Sequence, residues 1–326
     1  MKPRERVQAA LHHDIPDRVP RFEVWIDALL DELGQTDTAS AHANLGQDSI
    51  MLPSQIPATS NAWQNGVDEW GRVWTDGHYT NGMVDTEADL EQYTPPLAYA
   101  GEFFNAEQVA GVKARYPDHC LMYGTHIGPF MAGYMAMGFQ PFFLRIVEDP
   151  AFVHQLLTAR TDWCIAQFQQ AVSLGAEIII MGDDAAHGSG PMVSPRMWRE
   201  FVLPYHRRIV DTLGVPVIWH SDGNILPLLP MAVEAGFAGI HGLEPRANID
   251  LGQVKDTFGQ DLVLIGNVDV VVLCNADLDA VRGEVNRTLK QGAPDGGYMV
   301  STCNSIFTGM NAAAVAEFFR YEAEVC

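Results

Sequence analysis

The chain has 326 residues, 47% of them hydrophobic and 19% charged, which is enough apolar material for a sizeable core and ordinary for a globular enzyme. Its formal net charge of −21 works against a nucleic-acid partner, because no Lys/Arg cluster offsets it, and against a polycarboxylate substrate. No apolar run reaches the roughly 18 residues of a bilayer span, the start lacks the apolar core of a secretory signal, and five scattered cysteines without a CxxC pair suit a reducing compartment, so the cytoplasm is the expected location.

In chain order, a short helix is expected over 3–12. After Pro16 and Pro20 punctuate the chain, a first strand is expected at 18–25. Runs at 50–52 and 69–75 supply further strands or a hairpin, with Trp63, Trp70 and Trp74 packing over the rest. From about residue 105 onward, β-rich runs at 120–123, 177–181, 215–219, 239–243, 262–265 and 298–301 alternate with helical stretches. Helices are expected over 151–172, 195–213, 248–258, 277–291 and 310–324. Each strand run is nearly continuous Val, Ile, Leu, Met or aromatic, the pattern of a strand buried on both faces. Ser194 before Pro195 reads as an N-cap followed by proline at the first helical position.

Repeated βα units predict a parallel sheet covered on both faces. The first strand, the six later runs and the 50–52 segment make eight, which predicts a (β/α)₈ TIM barrel with an irregular N-terminal extension. No Gly-x-Gly-x-x-Gly follows a strand, so a dinucleotide fold has no support. Without repeats, low-complexity tracts or linkers, residues 1–326 read as a single domain.

Most of these runs end in polar residues that a connecting loop does not require: Glu23, Tyr123 and His126, Asp183 and Asp184, His220 and Asp222, Glu244, Asn267 and Asp269, Cys303 and Asn304. In a (β/α)₈ barrel such ends converge on the face that carries active sites. The sharpest subset is His220, Asp222, Glu244 and Cys303. Alternation along a strand end puts His220 and Asp222 on one side, and imidazole, carboxylate and thiolate are all Zn²⁺ ligands. Each also has an ordinary structural role: an N-cap, a turn, a packed thiol. Of the adjacent Asp183 and Asp184, only one can face the mouth, where a like-charged neighbour would help it hold a proton. His187 and Ser189, in the Gly-rich loop 185–190, are candidates to line the same mouth, and His126 to donate to a substrate. The Met-rich stretch Met131, Tyr134, Met135, Met137 and Phe139 reads as core or lid.

With these residues in hand, the chain resembles the uroporphyrinogen decarboxylase superfamily over almost its whole length. The resemblance is carried by RERVQAALHHDIPDRVPR at 4–21, GPF at 128–130, SPRMWREFVLPY at 194–205, HSDGN at 220–224, GLEP at 242–245, IGNVD at 265–269 and STCNSI at 301–306. It implies a (β/α)₈ barrel with a deep cleft at the C-terminal face. True decarboxylases carry an Arg-rich motif after the first strand that holds the porphyrinogen carboxylates. Here that stretch is Phe22-Glu23-Val24-Trp25-Ile26-Asp27, with two acids and no arginine.

The other branch, to which this chain is more similar, holds methylcobamide-dependent methyltransferases, relatives of the zinc barrel of cobalamin-independent methionine synthase. Their ligand order of His-x-Cys, then Glu, then Cys is matched by His220, Glu244 and Cys303, while Asp222 stands where the first Cys would be. The resemblance implies a Zn²⁺ site, a corrinoid (cobalamin) supplied by a partner protein, and methyl transfer from a small methoxy or methylthiol substrate, with O-demethylation favoured by the oxygen ligand. On this reading, with the polar strand ends, Asp183 or Asp184, Glu23 and His126 are expected to handle protons and orientation, and Tyr205, Asn267, His187 and Tyr123 to contact the substrate. The competing functions are a metal-free decarboxylase and a non-enzymatic barrel that binds a small ligand. The expected partners are a small molecule and a corrinoid protein, with no nucleic acid or membrane; a homodimer is left open.

Overall fold

The computed structural model describes residues 1–55 and 64–326, so the expectation for Trp63 lies outside the described residues. In chain order the strands are β1 (Ser49–Met51), β2 (Gly66–Val67), β3 (Arg72–Thr75), β4 (His78–Gly82), β5 (Cys120–Thr125), β6 (Ile178–Gly182), β7 (Ala186–His187), β8 (Gly190–Pro191), β9 (Val217–Ser221), β10 (Gly239–Gly242), β11 (Val263–Ile265) and β12 (Tyr298–Met299). Seven of them form one sheet in the order β1-β5-β6-β9-β10-β11-β12, every pair parallel.

The eighth position belongs to residues 20–26, which bridge the two edges of that sheet. On one side Phe22 N donates to Val300 O (2.9 Å), Val300 N to Pro20 O (2.9 Å) and Ile306 N to Trp25 O (2.9 Å). On the other, Asp48 N donates to Arg21 O (2.8 Å) and Glu23 N to Gln47 Oε1 (2.7 Å). The cylinder therefore closes into a TIM barrel, with isolated parallel bridges at Arg21–Val300 and Ile26–Ile306 in place of a regular first strand.

The barrel strands are buried on both faces, and successive side chains alternate between the interior and the helix layer, as a barrel wall requires. Cys120, Met122, Ile178, Ile180, Ile218, Val263, Ile265 and Met299 fill the interior with Phe22 and Val24, and Val7 and Ala10 of the helix Pro3–Leu11 join that cluster. Leu121, Tyr123, Ile179, Met181, Trp219, Ile240 and Leu264 face outward into the layer packed against the helices.

The run expected at 69–75 is not a barrel strand. It forms part of an antiparallel sheet, β2-β3-β4, organised by buried Asp68, which accepts from Trp70 N (3.0 Å), Arg72 N (3.0 Å), Arg72 Nε (2.7 Å) and Trp74 Nε1 (2.8 Å). The helix expected at 195–213 is two, Pro195–Phe201 and Leu203–Leu213. Pro204 has no N–H to continue the first ladder and instead opens the second helix. Among the described residues no helix is long and apolar enough to cross a membrane, and all five cysteines are free.

Candidate active site

The alternation that fills the barrel also sorts the polar strand ends. Continuing the inward positions Ile178, Ile180 and Ile218 upward by twos reaches Asp184, His220 and Asp222. These three offer ligand atoms that all lie within 4.8 Å of one another, the one such group of three or more among the described residues. His220 Nε2 is 3.6 Å from Asp222 Oδ1, and Asp222 N donates to Asp184 Oδ1 (3.1 Å).

Asp183, one residue from Asp184, turns the opposite way and is fully buried. It accepts from Phe130 N (3.2 Å) and Met131 N (2.7 Å) at the start of the helix Pro129–Met137, and from His206 Nε2 (2.7 Å). The carboxylate is thereby spent on anchoring a helix N-terminus. Gly128 makes the approach possible, since a Cβ there would stand 2.6 Å from Asp183 Cβ.

A hydrogen-bond chain fixes which nitrogen of His220 is free. Thr302 O can only accept, so with the Ser301 hydroxyl, 3.3 Å from the same nitrogen, donating to Glu23 instead, His241 Nε2, 3.1 Å from Thr302 O, carries a proton. Burial, and then the neighbouring His220, hold His241 well below the usual imidazole range, so it is neutral and its Nδ1 is an acceptor. His220 must then donate from its Nδ1, 2.8 Å distant, which leaves a lone pair on Nε2 beside the two carboxylates. Burial likewise pushes His220 down to about 4, against the opposing pull of Asp184. This is the arrangement of a metal-ligating histidine oriented by a second residue behind it.

Asp222 is pushed up to about 7 by burial and then by the charges of Asp184 and Glu244, and Asn304 Nδ2 holds both its oxygens at 2.8 Å. Glu23 is completely buried. Its carboxylate accepts from Thr302 N (2.9 Å), Thr302 Oγ1 (2.8 Å) and Ser301 Oγ (3.3 Å), while burial pushes it up to about 8. It thus positions the loop whose carbonyl starts the histidine chain. Trp25 packs beneath the cluster, edge-on to His220 with ring centroids 4.9 Å apart, and stacks on His126 at 4.4 Å. His126 Nε2 lies 3.4 Å from Asp27 Oδ2.

Two of the four expected metal ligands, His220 and Asp222, are in the cluster, and Asp184, expected to act on protons, is the third member. Glu244 is close by, accepting from Gly223 N (3.0 Å). The buried thiol of Cys303 has its pKa raised by burial and is no part of the cluster. Of the expected substrate residues, Tyr205 lies in the outer helical layer, with its OH donating to His154 O (3.0 Å). Asn267 is buried, donating to Leu243 O (2.7 Å) and accepting from Arg287 (3.1 Å). Tyr123 points out of the barrel against Phe104, and His187 is exposed on the β7–β8 hairpin beside Phe139.

His241, Trp25 and Thr302 were not anticipated as site residues. The one available signal was a histidine inside the otherwise apolar run 239–243, since a fully buried imidazole needs partners for both nitrogens; β10 sets it in register with His220.

Among the described residues, donors of type N, O, O suit a divalent cation such as Zn²⁺, and the fixed lone pair of His220 supports that fit. A closed parallel barrel with acids and an oriented imidazole at its C-terminal mouth defines the class: a (β/α)₈ protein with its polar site at the strand ends. Residues 36–324 match the family model described as uroporphyrinogen decarboxylase (URO-D), and the chain belongs to that family.

A methylated-thiol–coenzyme M methyltransferase of Methanosarcina mazei is 28% identical over 145 residues, 44% of this chain and 38% of that protein. The chain thus spans about two-fifths of that relative. A uroporphyrinogen decarboxylase of Pseudomonas fluorescens is 25% identical over 287 residues, 84% of this chain and 77% of that protein. The solved structure of a methyltransferase from Methanosarcina mazei superposes with a TM-score of 0.80 at 20% identity, covering 99% of both chains, a likeness of fold.

Proposed function

We propose that this protein is a methyltransferase that moves a methyl group between a small methoxy-type substrate and a corrinoid carried by a partner protein, at a metal held by Asp184, His220 and Asp222. The convergence of these three side chains at the barrel mouth, with His220 Nε2 left unprotonated by the His241–Thr302 chain, carries the proposal. The named activity of the Methanosarcina relative supports it.

A Zn²⁺ ion there would act as a Lewis acid on the substrate heteroatom. The chain's own residues supply the rest. Asn304 fixes the plane of the Asp222 carboxylate, the His241 pair fixes the His220 ring, and Trp25 gives the mouth an aromatic floor. Two carboxylates and one imidazole make a harder ligand set than one with two thiolates, which favours an ether oxygen over sulfur.

A polycarboxylate decarboxylase is disfavoured by the same residues. Asp184, Asp222 and Glu244 stand close enough for the charges of the other two to raise the Asp222 pKa, so a multiply charged anion meets repulsion where it needs guanidinium.

The deciding experiment pairs elemental analysis of the purified protein with transfer of methyl from methoxyarenes and methyl thioethers to added cob(I)alamin. One equivalent of zinc, lost in Asp184→Asn and Asp222→Asn, together with methylcobalamin formation from a methoxy donor, is the expected result. A metal-free, folded protein that leaves cob(I)alamin unchanged would overturn the proposal.

A further inference from the structure

A cavity of about 340 Å³ lies beside the end of β5, bounded by the helix Pro150–Leu174 and by side chains of β3. Five rings wall it: Trp70, Trp74, Phe103, Tyr123 and Trp163. Three of these brace one another, with centroids 5.2 Å apart for Trp70 and Trp163, 5.3 Å for Phe103 and Trp163 and 6.2 Å for Trp70 and Phe103, so the walls are set before a ligand arrives. The arginines of the lining are used in holding it together. Arg72 pairs with Asp68 at 2.7 Å and lies over the rings of Trp70 and Trp74. Arg160 donates from Nη1 and Nη2 to the carbonyls of Tyr93 (2.8 Å) and Trp70 (3.0 Å). What the cavity offers a ligand is chiefly aromatic surface.

The cavity adjoins the metal cluster at His126. Tyr123, turned out of the barrel, lines the cavity, and His126, past the end of the same strand, borders it as well. The His126 ring, however, turns inward. It stacks on Trp25 at 4.4 Å, and Trp25 is edge-on to His220 at 4.9 Å. β5, β6 and β9 are neighbours in the sheet, and the chain at His126 packs so closely on β6 that a Cβ at Gly182 would stand 3.0 Å from the His126 Cα. Asp184 follows Gly182 by two residues. His126 is therefore shared between cavity and cluster, with its side chain 55% exposed at the threshold.

We propose, resting on the methyl-transfer reading, that this cavity holds the body of the substrate and that the substrate is an uncharged aryl methyl ether. Its ring sits among Trp70, Phe103 and Trp163, and its methoxy group leads past His126 to the cluster. A cavity of about 150 Å³ admits one benzene, so 340 Å³ takes one ring with its substituents and is far too small for a porphyrinogen. An anionic body would find both guanidinium groups already engaged and three acids near the reacting end. In the transfer the ether's O–CH₃ bond breaks with its electron pair kept by the phenolic oxygen, which takes a proton from water. The electron pair of the partner's cobalt(I) makes the new bond to the methyl carbon.

Anisole and methanol serve as probes, first without corrinoid, followed by calorimetry and by the fluorescence of the tryptophans that line the cavity. Anisole should bind saturably at one site per chain, with methanol at least about 10-fold weaker. Ala132 lines the cavity from the helix Pro129–Met137, so Ala132→Leu fills part of the space and should weaken anisole by at least about 10-fold. If that variant does not fold, Phe103→Leu carries the test; losing one ring of the wall should weaken anisole by about 3–10-fold. One equivalent of zinc in each variant shows that the cluster is intact. With cob(I)alamin added, KM for anisole should rise in each variant by the factor lost in binding. The cavity assignment alone is overturned, and the methyl-transfer reading stands, if methanol donates methyl with the kcat/KM of anisole, or if anisole is demethylated with a KM indifferent to both variants. Failure of every donor to methylate cob(I)alamin, in a protein that still binds anisole in the cavity, overturns the methyl-transfer reading and with it the role of the aryl ether as substrate.

Discussion

Replacing His241 with Phe removes the residue that sets the tautomer of His220 while approximately keeping its volume. In the parent protein His241 accepts from His220 Nδ1 at 2.8 Å and donates to Thr302 O at 3.1 Å. The variant leaves a buried N–H and a buried carbonyl unpaired, at about 1–3 kcal/mol each, so unfolding free energy should fall by roughly 2–6 kcal/mol. The ring of His220 would then be free to turn or to place its proton on Nε2, the atom that faces Asp184 and Asp222. Removing an orienting residue behind a metal ligand typically costs about 10–100-fold in affinity, and that is the expected loss of zinc affinity for His241→Phe.

Competition against a chromogenic chelator, run well below the unfolding midpoint of the variant, measures it. Nitrogen NMR of the imidazoles gives an independent reading: the parent should show His220 with an unprotonated Nε2, and the variant a mixture. A folded His241→Phe protein that binds zinc as tightly as the parent, with the same His220 tautomer, would falsify the hydrogen-bond chain as the source of the oriented lone pair.

Neighbouring acids should behave oppositely. Compared as metal-free proteins, Asp183→Ala should lower stability by about 3–5 kcal/mol, because it strips a buried carboxylate from His206 and from a helix N-terminus, whereas Asp184→Ala should leave the denaturation midpoint nearly unchanged and, when zinc is supplied, fail to bind it; chemical denaturation in chelator and elemental analysis separate the two. Cys303→Ala should retain metal and cost only about 1 kcal/mol for the lost thiol, and loss of zinc in that variant would return Cys303 to the ligand set. Glu23, ordinarily near 4.5 and pushed up to about 8 in the fold, binds its proton more tightly folded than unfolded. Its contribution is therefore present below about pH 4.5, falls as pH rises and is gone above about pH 8. Glu23→Gln should flatten the stability profile across that window by up to about 1.4 kcal/mol per pH unit, and urea midpoints measured from pH 5 to 8 that run parallel in the two proteins would contradict it.

The barrel was legible because its strands are short apolar runs ending in polar residues, and because period two decides which of those residues meet. The same rule separates Asp183 from Asp184 and joins His220 to Asp222. It fails where the backbone leaves the extended path: Glu244 sits where the chain departs β10 for a 3₁₀ turn, and Cys303 follows the last strand by several residues. Ligand type at successive strand ends, together with the family spacing, placed them with the histidine, and neither fixes the direction of a side chain in a loop. Tyr205 and Asn267 illustrate another limit. Each is polar and lies near a strand end or within a matched motif, yet each is satisfied by a nearby carbonyl, which only coordinates reveal. Arg160 was unreadable for the converse reason. On the 25-residue helix Pro150–Leu174 an arginine is normally solvated, and only the segments that bring the carbonyls of Trp70 and Tyr93 onto it bury this one.

The way the cylinder is sealed bears on how it forms. Residues 20–26 are the stave between β1 and the last strand, and their hydrogen bonds reach Val300 and Ile306, while Glu23 grips Thr302 across 279 positions of sequence. During synthesis on a ribosome, this stave can meet the β1 side early, but its other edge must wait unpaired until residues 300–306 have emerged. Ring closure, and with it the anchoring of the Thr302 loop behind the histidines, is a late event set by a contact of very high sequence separation.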